Sequence, residues 1–328
     1  MVIRTSTEHV SELRKSIRRL PQEQVSEFLE QVIDGNGSRN FGTLRSECLN
    51  RLRINKMEYA NVLTDQPSVK GFDRTFPYSD EAQLMIEYVK EKGYHEWADM
   101  LIDPACGAGH IAIGCPLKDR HAVRVALDAS SRALEFTAIN RYCNGTDMMI
   151  GLNDVGDGLS QWDHSEAQRI LFMANMPFAP DPCATNGFLP MASSSDERGS
   201  KHTLLALRAF KEFAHGLTDG RAARAIVLVY TIFDEAADRY DLVEQARRLF
   251  PGRVSWEFLN DTKVWRINGV KSFPNPMPLE LMAERANCRF DVADSRREHA
   301  RRSYESLAER LKKEGWSHLA CGILDIEL

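Results

Sequence analysis

The stretch Met100-Leu101-Ile102-Asp103-Pro104-Ala105-Cys106-Gly107-Ala108-Gly109-His110 decides how the chain is read. A short apolar run ends in an acid, and a loop with two glycines follows before a segment that favours a helix. An apolar run without polar alternation suits a strand buried on both faces, as in a parallel sheet. Gly107 and Gly109 let the backbone turn sharply and approach a ligand with no side chain in the way. Ligands of open parallel sheets sit beyond the carboxyl ends of the strands, where the strand order reverses. The stretch is therefore a fold signal and a site signal at once.

Outward from it, the pattern alternates. Asp80 with Gln83 can cap a helix that stops at Gly93. Strands are predicted at 100–103, 123–128, 147–150, 169–174 and 224–231, with helices near 108–115, 131–143, 201–215 and 235–249. Such alternation predicts an α/β domain over 79–328, with a mostly parallel, Rossmann-like sheet and helices on both faces. Beyond residue 250 come candidate strands at 253–259 and 263–267, a charged helix at 293–314 and a last strand at 318–326. This tail reads as a sheet edge carrying an insertion near 268–315. Before residue 79, Val10, Leu13, Ile17 and Leu20 recur at helical spacing, as do Val25, Phe28, Leu29, Val32 and Ile33, and a third helix is expected over 42–53. An irregular polar stretch follows, so 1–78 is expected to be a helical domain, either a packed bundle or a cap over a cleft in the second domain.

Composition bounds the function. The 328 residues are 43% hydrophobic and 27% charged, which fits a globular protein and excludes collagen-like and low-complexity classes. A net charge of -5 gives no global attraction to a phosphate backbone, so a nucleic-acid partner is unsupported. The longest strongly apolar run, Ala225 to Tyr230, is far below the roughly 20 residues that span a bilayer. The N-terminal residues lack the apolar segment of a secretory signal, and a cytoplasmic location is expected. Seven cysteines with no C-x-x-C pair, and histidines without an H-E-x-x-H arrangement, point to reduced thiols and no metal centre.

The glycine loop alone is a weak signal. Asp128, at the end of the next strand in Val123-Arg124-Val125-Ala126-Leu127-Asp128, sharpens it, because a carboxylate there can accept both hydroxyls of a ribose. The loop has G-x-G without the third glycine of a pyrophosphate fingerprint, and there is no G-K-S/T for ATP. Asp103 would repel a pyrophosphate but suits the cationic amino group of an amino-acid tail. In these features the chain resembles, over roughly 95–260, the class I S-adenosylmethionine-dependent methyltransferases, with Asp103 to Gly109 as their motif I. The resemblance implies S-adenosylmethionine as cofactor and adds Ala105 and Ala129 to the residues that would hold it. Asn153 and Asp154, after the strand at 147–150, occupy the place where that family meets the adenine amino group, although a surface turn explains them equally well.

After the strand Arg169-Ile170-Leu171-Phe172-Met173-Ala174 stands Asn175-Met176-Pro177-Phe178. It resembles the Asn-Pro-Pro-Tyr/Phe motif of methyltransferases acting on planar amino or amide nitrogens, with Met176 in place of the first proline. The Asn175 oxygen and the Met176 carbonyl can accept two N–H bonds and aim a nitrogen lone pair at the sulfonium methyl. Phe178 offers a π-face for a planar group or for the sulfonium charge. No covalent nucleophile is needed, and Cys106 reads as a packed loop residue. The layout is similar to protein glutamine methyltransferases acting on release factors, and the loop to DNA adenine methyltransferases. No target-recognition module or basic cleft supports the latter. Acceptors are thus a small-molecule amine or a protein glutamine. In an alternative reading S-adenosylmethionine is the substrate itself: the chain resembles in general plan the azetidine-2-carboxylate synthases, which close a four-membered ring and release methylthioadenosine. A non-catalytic nucleoside-binding module is the further alternative. Asp181, His202 and Tyr230 are weaker pocket candidates.

Overall fold

The computed structural model describes residues 52–56, 60–65, 80–119, 121–163, 166–176, 196–217, 220–259, 274–284 and 294–328. They fall into two compact units, one running to Met173 with a return at Thr218–Ala222, the other made of Ala174–Leu217 and Ala223–Leu328.

Unit 1 begins with strands β1 (Leu52–Lys56) and β2 (Asn61–Asp65), an antiparallel pair with Ile54 opposite Leu63. Ala60, Val62 and Thr64 are all buried, the period of two that places one face of a strand against a core. Helix α1 (Asp80–Glu91) buries Ala82, Met85, Ile86 and Val89, a single helical stripe, and closes at Gly93 with φ 74°. A short α2 (Tyr94–Trp97) leads into β3 (Met100–Asp103), every residue of which is buried. There follow α3 (His110–Gly114), β4 (Val123–Asp128), α4 (Ser131–Asn144), β5 (Met149–Leu152) and, after two turns of 3-10 helix, β6 (Arg169–Ala174).

These four strands form a parallel sheet in the order β5-β4-β3-β6. The chain steps outward from β3 to β4 and β5, then returns to the other flank of β3 as β6. That reversal is the switch in strand order at which Rossmann-like α/β sheets place ligands, at the carboxyl ends of β3 and its neighbours. The α/β class and parallel sheet expected from the sequence are what unit 1 shows. Between β4 and β5, α4 packs against β2, β4 and β5. Because β2 rests on this helix, the boundary expected near residue 78 falls inside unit 1. Residues 52–56 and 61–65 are paired strands, where the end of the 42–53 helix and then an irregular stretch were expected. The first two helices expected earlier in the chain lie outside the described residues, as do residues 42–51 of the third and the strand expected at 263–267.

Unit 2 holds α5 (Lys201–His215), whose buried face is Thr203, Ala206, Leu207, Phe210 and Phe213, then the long β7 (Ala222–Asp234), a two-residue β8 (Arg239–Tyr240) and α6 (Asp241–Leu249). Strands β9 (Val254–Phe258) and β10 (Met277–Pro278), helix α7 (Asp294–Lys313) and strand β11 (His318–Glu327) complete it. β11 runs antiparallel to β7 with Gly322 opposite Val229, and β9 pairs with β11. On α7, Arg301 and Arg302 pair with Glu298, and Arg301 also with Glu305, so its charges form the solvated ladder expected of this segment.

Candidate functional site

The site is built on the ends of β3 and β4. Asp103 pairs in register with Ala126, so Asp128 lies two residues further along the neighbouring strand. Because β3 is buried on all sides, Asp103 is only 1% exposed. Its Oδ1 receives one long contact, 3.4 Å, from the Ala105 amide, and its buried Oδ2 meets no donor among the described residues. Burial, with a smaller contribution from the Asp128 charge, pushes the Asp103 carboxyl up to about 8, so it holds its proton at neutral pH.

The loop between β3 and α3 is held from both sides. Cys106 N donates to Leu127 O at 2.8 Å, Gly107 N to Asp128 Oδ2 at 2.9 Å, and Gly109 N to Cys106 O at 2.7 Å. Gly107 and Gly109 both have positive φ, 53° and 86°. A Cβ on Gly109 would also come within 2.9 Å of Ile113 Cδ1, so this position needs glycine for space as well as for conformation. From α4, Thr137 Oγ1 donates to Gly107 O and Asn140 Nδ2 to Ala108 O, each at 2.8 Å. Thr137 and Asn140 are fully buried. They fasten the loop, a role the sequence reading missed; its signal was two polar residues three apart on an otherwise apolar helix face.

This geometry decides against a phosphate. A loop that cradles phosphate presents several unengaged amides at a helix N-terminus. Here the amides of Cys106, Gly107 and Gly109 already have acceptors, and an acid stands at the loop's start. Asp128 is fixed as well: Oδ1 accepts from Ser130 N at 2.8 Å and Oδ2 from Gly107 N, and burial raises its pKa. Each of its oxygens keeps a second lone pair for a ligand hydroxyl. Ala129, which follows, is exposed.

At the end of β5 the polar pair divides. Asn153 is buried; its Nδ2 donates to Asp154 O and Gly158 O, and its Oδ1 accepts from Gln161 Nε2 and Trp162 Nε1. All its bonding capacity goes into tying the turn over 154–162. Asp154 is exposed and caps that turn through Gly156 N at 3.0 Å. Beside them lies a residue the sequence reading passed over: Leu152 is 53% exposed, the exposed large hydrophobic side chain among the described residues, and is in register with Asp128. An apolar surface next to a carboxylate at a strand end suits a planar base beside a ribose.

Two thiols and an imidazole nearby are inert by environment. Cys106 stays protonated because burial, with a smaller contribution from the Asp128 charge, raises its pKa. Burial takes Cys115 to about 12 and the His110 imidazole down to about 4. Among the described residues no group of three or more His, Cys, Asp or Glu could hold a metal ion, and no helix is long and apolar enough to cross a membrane.

In unit 2, Asn175 directly follows β6. Its Oδ1 is buried and meets no donor among the described residues, and Met176 is 4% exposed. Pro177, Phe178 and Asp181 lie outside the described residues. Tyr230 belongs to the β7 core and His202 to the first turn of α5. An open groove of about 610 Å³ in this unit is lined by Asp234, Glu280, Lys312, Trp316 and His318 among others. Its charges are already matched, Lys312 with Glu280 and Arg239 with Asp234, and the Arg239 guanidinium stacks 4.3 Å over Trp316.

No family model matches the chain, and no curated protein matches it. Solved structures do. Coclaurine N-methyltransferase bound to N-methylheliamine and SAH is 12% identical, with 99% of this chain and 100% of that chain covered and a TM-score of 0.39. TYW2 of M. jannaschii in complex with AdoMet is 10% identical, with 85% and 87% covered and a TM-score of 0.42. The [4+2]-cyclase SpnF is 11% identical, with 93% and 96% covered and a TM-score of 0.41. Strand order and the acids at the strand ends, rather than these likenesses, describe the fold and its site.

Proposed function

We propose that unit 1 binds S-adenosylmethionine at the carboxyl ends of β3, β4 and β5, and that the chain is a transferase acting at an amine or amide nitrogen, most simply an N-methyltransferase. When bound, the cofactor supplies an electrophilic methyl on a sulfonium that carries its own leaving group. The chain's part is then to bind, orient and exclude water. Asp128 accepts the ribose hydroxyls, and Leu152 lies against the adenine. Asp154, rather than the saturated Asn153, meets the adenine amino group. Asp103 takes the ammonium of the amino-acid tail, with Ala105, Gly107 and Gly109 leaving room for it and Ala129 flanking the ribose.

One observation carries this reading: a buried acid, Asp103, and a half-buried one, Asp128, at adjacent strand ends, the first with an oxygen that meets no donor among the described residues, flank a glycine loop in which the amides of Cys106, Gly107 and Gly109 are engaged. That set fits a ligand bearing a ribose and an ammonium and does not fit one led by phosphate. On the acceptor side, the buried Asn175 oxygen accepts an N–H from the nitrogen to be methylated, and the Met176 carbonyl a second. Pro177 and Phe178 complete that motif. The acceptor would be a small amine or a protein glutamine side chain.

A second reading rests on the Asp103 carboxyl: once an arriving ammonium has displaced its proton to solvent, the carboxylate, with its pKa raised to about 8, can accept a proton from the amine. In it, the ligand's own amino nitrogen bonds to its γ-carbon as the carbon–sulfur bond breaks. The electron pair leaves on the sulfur of methylthioadenosine, and the amine proton goes to Asp103. Incubation with methyl-deuterated S-adenosylmethionine, alone and with amine or glutamine-peptide acceptors, separates the readings by mass spectrometry. A deuterated methyl on nitrogen is expected. Methylthioadenosine and azetidine-2-carboxylate from the donor alone would replace methyl transfer by ring closure. Neither product, with the ligand bound, would reject both.

A further inference from the structure

We propose that the site exchanges a proton for its ligand's charge: Asp103 is a neutral carboxylic acid while the site is empty, and docking of an α-ammonium against it releases one proton to solvent. This rests on the cofactor reading above and adds to it a rule of selection, for ligands that keep a charged amino-acid tail.

The geometry requires it. An ionised carboxylate needs donors or a nearby cation when taken out of water. Asp103 is 1% exposed, has one 3.4 Å amide contact on Oδ1 and leaves Oδ2 without a donor among the described residues. The charged and titratable groups of the surrounding elements do not help. β4 contributes Asp128, a second acid, at its near end and Arg124 at its other end, where it donates to Ala112 O. The loop contributes the protonated Cys106, and α3 the neutral His110. β6 carries Arg169 at its amino end, paired with Asp99. Accordingly the Asp103 carboxyl sits near 8: burial raises it most, the backbone amides of Ala105 and Ala112 offset only part of that, and the Asp128 charge adds to the rise.

An ammonium arriving beside Asp103 changes this balance. Empty protein and free ligand together hold two protons, one on the carboxyl and one in excess on the amine. A buried carboxyl–amine pair holds one of them, whichever partner carries it. The other must leave. Below pH 8 the affinity for S-adenosylmethionine therefore rises about tenfold per pH unit, and it levels off near pH 8 as Asp103 ionises unaided and the amine begins to lose its own charge. Methylthioadenosine, which keeps the nucleoside and lacks the tail, binds without proton release and without that slope.

Titration calorimetry at pH 7 in two buffers of different ionisation enthalpy reads the proton count directly. The full-length protein is titrated with S-adenosylmethionine, S-adenosylhomocysteine and methylthioadenosine. About one proton is expected for each of the first two, whose shared feature is the tail and not the sulfonium, and none for the third. Asp103→Asn, checked for folding by its melting transition, is expected to bind with no proton release. If S-adenosylmethionine binds with equal heats in both buffers, the proton exchange is overturned while the cofactor reading stands. If methylthioadenosine releases the same proton, Asp103 is not its source and the proposal fails. If S-adenosylmethionine does not bind at all, the cofactor reading falls and this inference with it.

Discussion

Asp103→Asn changes stability in a way that follows from burial alone. The carboxyl lies near 8 in the folded chain against an ordinary 3.8. Between those values the folded state holds a proton that the unfolded state has released. The sign is therefore the opposite of that for a salt-bridged carboxylate: stability falls as pH rises from about 4 and stops falling near 8, when Asp103 is ionised in both states. At 1.36 kcal/mol per pKa unit, the four-unit gap amounts to about 5 kcal/mol across the window. Asparagine has nearly the same shape and no charge, so the variant lacks this slope. The two proteins are expected to differ little in their pH trend below pH 4, and the variant's relative stability should grow by about 4 kcal/mol by pH 7. Urea denaturation of both proteins at pH 5, 6, 7 and 8 measures it, because the difference between them cancels every other titrating group. Parallel pH trends would refute the claim that burial keeps the Asp103 carboxyl protonated in the folded chain.

The remaining predictions concern the same strand ends. Gly109→Ala forces a side chain into φ 86° and against Ile113, and should cost about 1–3 kcal/mol in thermal denaturation; an unchanged melting temperature would contradict the loop geometry. Leu152→Ser removes the exposed apolar surface beside Asp128 and should weaken S-adenosylmethionine and methylthioadenosine alike, by about 1 kcal/mol in calorimetry, with little effect on stability. A loss confined to one of the two would place Leu152 away from the base. Asn175→Ala should keep ligand affinity and lose about a hundredfold in turnover, as expected when a positioning hydrogen bond is removed; full activity would dismiss its role.

Much of unit 1 is legible in the sequence because parallel strands advertise themselves. Residues 100–103 and 169–174 are uninterrupted apolar runs with a polar residue at one end, and both strands form where expected. Where the reading slipped, a tertiary contact overrode a local signal. β5 begins and ends two residues later than the run before Gly151 implies, because that glycine lies within the strand: the Trp162 indole occupies the space a Cβ would need, at 1.9 Å. The helix expected from 235 starts only at Asp241, since Arg239 and Tyr240 first turn back to pair with β7 and the Tyr240 ring stacks 4.3 Å from that of Phe233. The strand pair at 52–56 and 61–65 hides its period-two pattern among Arg53, Asn55, Asn61 and Asp65. In the site, charge and glycine spacing pointed to Asp103, Gly107, Gly109 and Asp128. Spacing could not reveal that Asn153 has no capacity left for a ligand, because its four partners come from the turn that follows it. Nor could it show that Asp103 Oδ2 meets no donor among the described residues, which depends on every neighbouring element at once.

Calorimetric titration of S-adenosylmethionine into the wild-type chain and Asp128→Ala bears most directly on the cofactor claim. The account predicts saturable one-site binding to the wild type and a loss of affinity of at least tenfold in the variant, with methylthioadenosine weakened to a similar degree because the ribose is common to both. Equal affinity in the two proteins, or no binding to the wild type, would contradict it.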